Sequence, residues 1–196
     1  MARIVKSGLI QLSLAKTEGE GTIPEIMEAM VQKHIPYIEE AGKQGVQILC
    51  FQEIFNTPYF CPGQDSAWYA SAESVPGPTT ERMQVYAKKY DMVIVVPVYE
   101  KDQAGVLYNT AAVIDADGTY LGKYRKNHIP QTGGFWEKFF FKPGNLGYPV
   151  FQTKYGCIRR WHFCPNWFCC SQPGLRRSSW VLLKQQALIV EKTNGR

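Results

Sequence analysis

The sequence predicts an α/β layered domain with a mixed sheet. Three observations predict it. Apolar runs of strand length alternate with segments of helical periodicity through residues 3–99. Two more strand patterns then follow across short glycine-bearing turns, as antiparallel neighbours require. Finally, 45% hydrophobic and 20% charged residues in 196 are ordinary for one globular domain with a substantial core.

Taken in order, residues 3–14 are rich in aliphatic and β-branched side chains and read as a first strand. The glycine- and glutamate-rich stretch 16–22 is a loop. Pro24 suits a first helical turn, where its missing N–H costs nothing. Ile26, Met27, Met30, Val31, His34, Ile35 and Ile38 then recur at helical spacing to about Ala41. Pro36 predicts a kink, Gly42 and Gly45 predict the stop, and His34 belongs to the apolar face rather than to a ligand set.

Residues 46–51 form a continuous apolar run, as in a strand buried on both faces, and end at Gln52-Glu53. A carboxylate at the C-terminal edge of such a strand lies where open α/β folds place chemistry. A long loop, 54–80, carries four prolines with Phe55, Tyr59, Phe60 and Trp68. Loops of that length in compact domains are usually functional or partly structured. A second helix is expected over 81–90, with Met83, Tyr86, Ala87 and Tyr90 on one side. Residues 92–99 read as a strand, and Pro97 within it predicts an edge, a bulge or an early end. Strands over 106–114 and 119–124 are joined by a turn at Asp115-Ala-Asp-Gly118.

The next stretch, Gly122-Lys-Tyr-Arg-Lys-Asn-His-Ile-Pro130, continues as Gln131-Thr-Gly-Gly-Phe-Trp-Glu137. On charge alone it is a solvated basic loop. Loops on a rigid scaffold also carry catalytic groups. If Glu53, Lys126 and Glu137 converge, Glu53 is a candidate general base and Lys126 a fixed cation for a developing oxyanion.

Charge bounds the partners. The net +5 is a property of the last 40 residues, 157–196, which hold seven Lys/Arg and one Glu. The remainder carries 15 basic and 16 acidic groups, so whole-chain charge is no argument for a nucleic-acid partner. No apolar run approaches the ~18 residues of a membrane span, and the N-terminus has no secretory pattern, so a cytoplasmic protein is expected. A glycine-rich dinucleotide turn and a phosphate loop are both absent from the sequence.

Several pieces now align in order across residues 3–156: Gly8-Leu-Ile-Gln11, Ile48-Leu-Cys-Phe-Gln-Glu53, Pro76-Gly-Pro-Thr-Thr80, Tyr108-Asn-Thr-Ala111, the basic loop, Gly134-Phe-Trp-Glu137 and Pro143-Gly-Asn145. Together they resemble the first part of a carbon–nitrogen hydrolase of the nitrilase superfamily. They are most similar to its β-ureidopropionase and N-carbamoyl-amine amidohydrolase branch. The resemblance implies an α-β-β-α sandwich, a homo-oligomer, and no metal or organic cofactor. It implies a Glu–Lys–Cys triad acting on a small amide or carbamoyl substrate. Glu53 would be the general base, Lys126 the catalytic lysine, and Glu137 a second, positioning glutamate. Related amidases and nitrilases with other small substrates, and a non-catalytic partner-binding relic, are the alternative readings.

The match weakens where the nucleophile is due. In place of the family's apolar strand and cysteine motif the chain reads Cys157-Ile-Arg-Arg-Trp-His-Phe-Cys164. Cys164 stands nearest the expected position, displaced by one residue, and the acidic residue that should follow is missing. Composition changes at the same place: residues 157–196 hold four of the six cysteines and three of the five tryptophans. A domain 1–156 followed by an atypical basic tail, 157–196, is therefore expected. A reading-frame shift near 157 accounts for both breaks, because Arg159-Arg160-Trp161-His162 has a coding that reads Gly-Val-Gly one base later. On that reading the chain is truncated, inactive and poorly soluble. Zinc held by Cys157, His162, Cys164, Cys169 and Cys170 is a rival reading, but the spacing fits no standard finger. Disulfides are disfavoured in a cytosolic chain.

Overall fold

The computed structural model describes residues 4–159. Five strands form one mixed sheet in chain order: β1 (Ser7–Ile10), β2 (Ile48–Phe51), β3 (Val93–Gln103), β4 (Val106–Ile114) and β5 (Tyr120–Arg125). The first three run parallel, with Ser7 opposite Ile48 and Ile48 opposite Val93. The last two are antiparallel, with Val96 opposite Ala112 and Ala112 opposite Lys123. Helices α1 (Ile23–Lys43) and α2 (Pro78–Tyr90) are the crossovers that the parallel pairs need. A short helix α3 (Glu137–Phe140) and a hairpin, β6 (Val150–Thr153) with β7 (Gly156–Arg159), complete the described chain. The expected α/β class and mixed sheet are observed.

Alternation explains the layering. Ile94, Val96 and Val98 of β3 pack with Val31 and Ile38 of α1 and with Met83 and Ala87 of α2. The intervening Val93 and Val95 face the other way, into clusters that include Val113, Phe151, Tyr155, Cys50 and Ala111. A strand buried on both faces reads as an unbroken apolar run, and β2 is such a strand. A fourth cluster, Phe60, Trp68, Tyr99, Phe140 and Phe141, ties the long loop to α3. Within it the Phe60 and Trp68 rings stack at 5.4 Å, and Phe140 meets Phe60 edge-on at 4.6 Å. The loop is thus anchored by its own aromatics and shortened at its C-terminal end. It contains a 3₁₀ turn, Ser66–Ser71, and α2 begins at Pro78 rather than at Glu81.

Three local expectations are corrected, while Pro36 lies within α1. The first strand is only Ser7–Ile10. Gly42 does not stop α1, which runs on to Lys43; a Cβ there would lie 2.3 Å from the Tyr90 ring, so the glycine admits α2. Gly45, at φ +69°, makes the turn that follows. Pro97 neither ends β3 nor marks an edge or a bulge. Its carbonyl accepts the Phe55 N–H at 3.2 Å, on the side where β2 has already finished, and it pairs with Ala111 on the other. The N–H that proline lacks would have pointed to that vacated side, so no ladder bond is lost.

His34 belongs to the apolar face, as expected. It is fully buried between the Phe51 and Phe55 rings, and its Nδ1 lies 2.8 Å from the Met30 carbonyl. Burial holds its pKa down at about 4, against the opposing pull of that carbonyl. A depressed histidine pKa favours the folded state fully above the unfolded value of about 6.5, and the benefit is lost as pH falls toward the folded value. Urea unfolding at pH 7.5 and pH 5 should therefore show a loss of about 2 kcal/mol. His34→Leu should remove most of that pH dependence.

Candidate active site

Three elements far apart in sequence deliver three charged side chains to one point. Glu53 follows β2 by two residues, Lys126 follows β5 by one, and Glu137 opens α3. The Lys126 Nζ lies 2.9 Å from Glu53 Oε1 and 2.7 Å from Glu137 Oε2. All three side chains are at most 7% exposed. The solvated-loop reading of this stretch therefore fails at Lys126 and Glu137, though His128 and residues 131–135 are exposed, and the three side chains Glu53, Lys126 and Glu137 converge.

The backbone around them explains the aim. At Ile54 the chain turns with φ +42°, an outlier for a buried β-branched residue and worth ~1–3 kcal/mol of strain. This reversal, held by Phe55 on Pro97, brings Glu53 off the strand end. Lys126 is held on both sides: its N–H donates to the Asn109 carbonyl at 2.8 Å, and its carbonyl accepts from Gly144 at 2.9 Å. Glu137 is placed by α3, whose Phe140 is seated on Phe60. Its Oε1 accepts from the Tyr59 hydroxyl at 2.8 Å. Lys123 and Arg125, the other cations of this stretch, serve a different carboxylate. Glu100 is fully buried with Arg125 at 2.5 Å and Lys123 at 2.5 Å.

Two carboxylates and one ammonium in a buried space leave an excess negative charge. Burial raises the Glu53 pKa most; Lys126 pulls it down, Glu137 pushes it up, and the net shift is upward. Burial alone would lower the pKa of Lys126, but the two carboxylates outweigh it and keep the lysine cationic. Glu53 Oε1 accepts from both Lys126 and Asn109, the latter at 2.6 Å. Among the described residues no hydrogen bond reaches its other oxygen, Oε2. Glu53 also lines a cleft of about 580 Å³, together with Gln11, Ser13, Gln52, Thr57 and Tyr59. A base whose pKa is drawn toward neutrality beside a ligand-sized cleft can take a proton from something bound there.

Cys164 lies outside the described residues, as do four of the five members of the zinc reading. Cys157 is exposed, with its thiol 3.0 Å from Gln152 Oε1. Cys61 is close enough to feel both glutamates, but burial first, and then Glu137 and Glu53, push its thiol well above the usual range. It is therefore held as a neutral thiol, unsuited to nucleophilic attack. Among the described residues no group of three or more His, Cys, Asp or Glu is arranged to hold a metal. No helix there is long and apolar enough to cross a membrane. The sequence marks Tyr59 only as an aromatic of the long loop and Asn109 only within a strand motif. An asparagine inside an otherwise apolar strand was the available signal, since strands are depleted in it.

The chain belongs to the carbon–nitrogen hydrolase family, whose model matches residues 19–168. Among curated proteins it is 41% identical over 158 residues to β-ureidopropionase of Arabidopsis thaliana, covering 80% of this chain and 38% of that one. It is 45% identical over 122 residues to N-carbamoylputrescine amidase of Solanum lycopersicum, covering 62% and 40%. Among solved structures, the carbon–nitrogen hydrolase from Helicobacter pylori G27 superposes with a TM-score of 0.68 at 26% identity, covering 76% and 48%. The chain thus spans about two fifths of the length of these curated relatives.

Two substitutions test the cluster. Lys126→Met removes the cation and leaves Glu53 buried against a like charge. Stability should fall by about 3 kcal/mol at pH 7.5 in denaturant titrations. The sign follows from a raised carboxylate pKa: the penalty is full above the raised folded value, fades as pH falls through it and Glu53 takes a proton, and is gone below the unfolded value. Gly144→Ala would put a Cβ 2.2 Å from the Arg125 carbonyl and 2.5 Å from Asn127 Oδ1. The backbone must move, so a loss of about 1–3 kcal/mol is expected in the same assay.

Proposed function

We propose that Glu53, Lys126 and Glu137 form the proton-transfer and electrostatic half of a site that hydrolyses a linear, non-peptide carbon–nitrogen bond. The substrate class is an N-carbamoyl amine or N-carbamoyl-β-amino acid, and Cys164 is the thiol the site is built to serve. The observation that carries this reading is the lysine held at 2.9 and 2.7 Å between two buried glutamates beside a cleft. The two curated relatives named above are similar to this chain across the same region, and their names support the carbamoyl class.

In the chemistry proposed, Glu53 Oε2 accepts the thiol proton as sulfur attacks the carbamoyl carbon. The negative charge that develops on the carbonyl oxygen is stabilised by the Lys126 ammonium, which is already oriented and desolvated. Collapse of the adduct breaks the carbon–nitrogen bond, and the proton on Glu53 passes to the departing ammonia. Water then attacks the thioester or thiocarbamate, losing its proton to the same carboxylate, and the thiol leaves. Glu137 holds Lys126 in place while Tyr59 holds Glu137. The basic tail beginning at 157, read as out of frame, is proposed to leave this chain without turnover, because it replaces the apolar approach to the nucleophile.

Ammonia release from N-carbamoyl-β-alanine, with calorimetric binding of the same compound, tests the proposal. The expected result is binding that Glu53→Gln weakens at least tenfold, without release. Release abolished by Cys164→Ala would establish the triad and overturn the inactivity. Release that survives Cys164→Ala would remove Cys164 from the mechanism, and neither binding nor release would reject the carbamoyl reading.

A further inference from the structure

Asn109 is the one described residue that contacts both halves of the catalytic cluster through different atoms. Its side-chain Nδ2 donates to Glu53 Oε1 at 2.6 Å, and its backbone carbonyl accepts the Lys126 N–H at 2.8 Å. It is 6% exposed and lies on β4 between Glu100's partner Thr110 and Tyr108. An apolar strand gains nothing from an amide at this position unless the amide is used. We propose that Asn109 is a positioning residue that clamps Glu53 through Oε1 and so reserves Oε2 for proton transfer.

Hydrogen-bond capacity decides which oxygen stays available. A carboxylate rotates about its terminal torsion and offers either oxygen unless it is pinned. Lys126 by itself is a rotating three-donor ammonium and pins poorly. A planar amide fixed on a strand supplies a directional second donor to the same oxygen. With Oε1 filled by Asn109 and Lys126, the cleft-lining carboxylate has one oxygen left. Because one residue also fixes the Lys126 backbone, the separation between base and cation is set by β4 rather than by two independent loops. This inference rests on the proposed role of Glu53 as the base.

The other titratable groups facing Glu53 are Lys126 after β5, Glu137 on α3, and Tyr59 and Cys61 of the loop after β2. All are retained in the variants that follow. The midpoint of Glu53 is read by NMR on ¹³C-glutamate-labelled full-length chain, with the resonance assigned by its loss in Glu53→Gln. Asn109→Leu keeps the backbone bond to Lys126 and removes only the amide, so the midpoint should rise by about one pH unit. Asn109→Ala should do the same. Thr110→Val, which loosens β4 through Glu100 instead, should lower stability and leave the midpoint in place.

In the wild type, independently of any variant, the Asn109 side-chain amide protons should shift together with the Glu53 titration. An unmoved midpoint in a folded Leu or Ala variant, an equal shift in Thr110→Val, or an amide signal flat through the wild-type midpoint would each overturn the clamp. The readout is a proton, not a turnover. A chain that releases no ammonia therefore leaves this test intact, and the two readings fail separately.

Discussion

The described structure turns on one ammonium between two buried carboxylates. Neither Glu53 nor Glu137 is tenable as an anion at such low exposure without Lys126, and a lone buried cation would be equally costly. The partners are 73 and 11 residues from the lysine in sequence. Satisfying them obliges the C-terminal edge of the parallel half of the sheet, the end of the antiparallel half and the short helix α3 to meet.

That meeting is supported from below by aromatic packing. Phe60, Trp68, Tyr99, Phe140 and Phe141 make one contiguous cluster, so the long loop after β2 is fixed by the same contacts that seat α3. The strain at Ile54 is borne in the same region, at a residue with no exposure at all. Stored strain needs surroundings that over-determine it, and a buried side chain beside a packed aromatic floor provides them. A second ionic cluster, Glu100 with Arg125 and Lys123, lies one residue along the chain from the first. Burial works against the Glu100 carboxylate, but its hydrogen bonds to Arg125, Lys123 and Thr110 prevail and hold its pKa below the usual range. Consecutive residues Arg125 and Lys126 thus serve separate carboxylates, which fixes the twist at which the strand hands over to the loop.

Periodicity placed α1, α2 and the apolar β2 because burial of one stripe or two faces leaves a direct trace in residue type. It misjudged Gly42 and Pro97 for one reason: both were judged as local breakers, and both are answers to neighbours. Gly42 makes room for a ring on another helix, and Pro97 lies beside a strand that has already ended. Glu100 gave no signal at all, since a carboxylate in a strand reads as exposed until its two cations are found across the sheet.

By itself, the sequence determined the α/β class, the order of its main elements and the residue types of the site, with Glu53 at a strand end and Lys126 and Glu137 in the stretch after the last strand of the sheet. Those properties are set by short-range pattern and by motif. Tertiary structure alone decided that Arg125, Lys126 and Glu137 of the basic stretch are buried, that one lysine of three cations goes to Glu53, and which oxygen of Glu53 Asn109 and Lys126 occupy. Hydrogen-bond partners separated by 56 and 73 positions are chosen by the register of the sheet and the turn at Ile54. No local pattern carries that information, because the cost of an unpaired buried charge is paid only once the chain has closed around it.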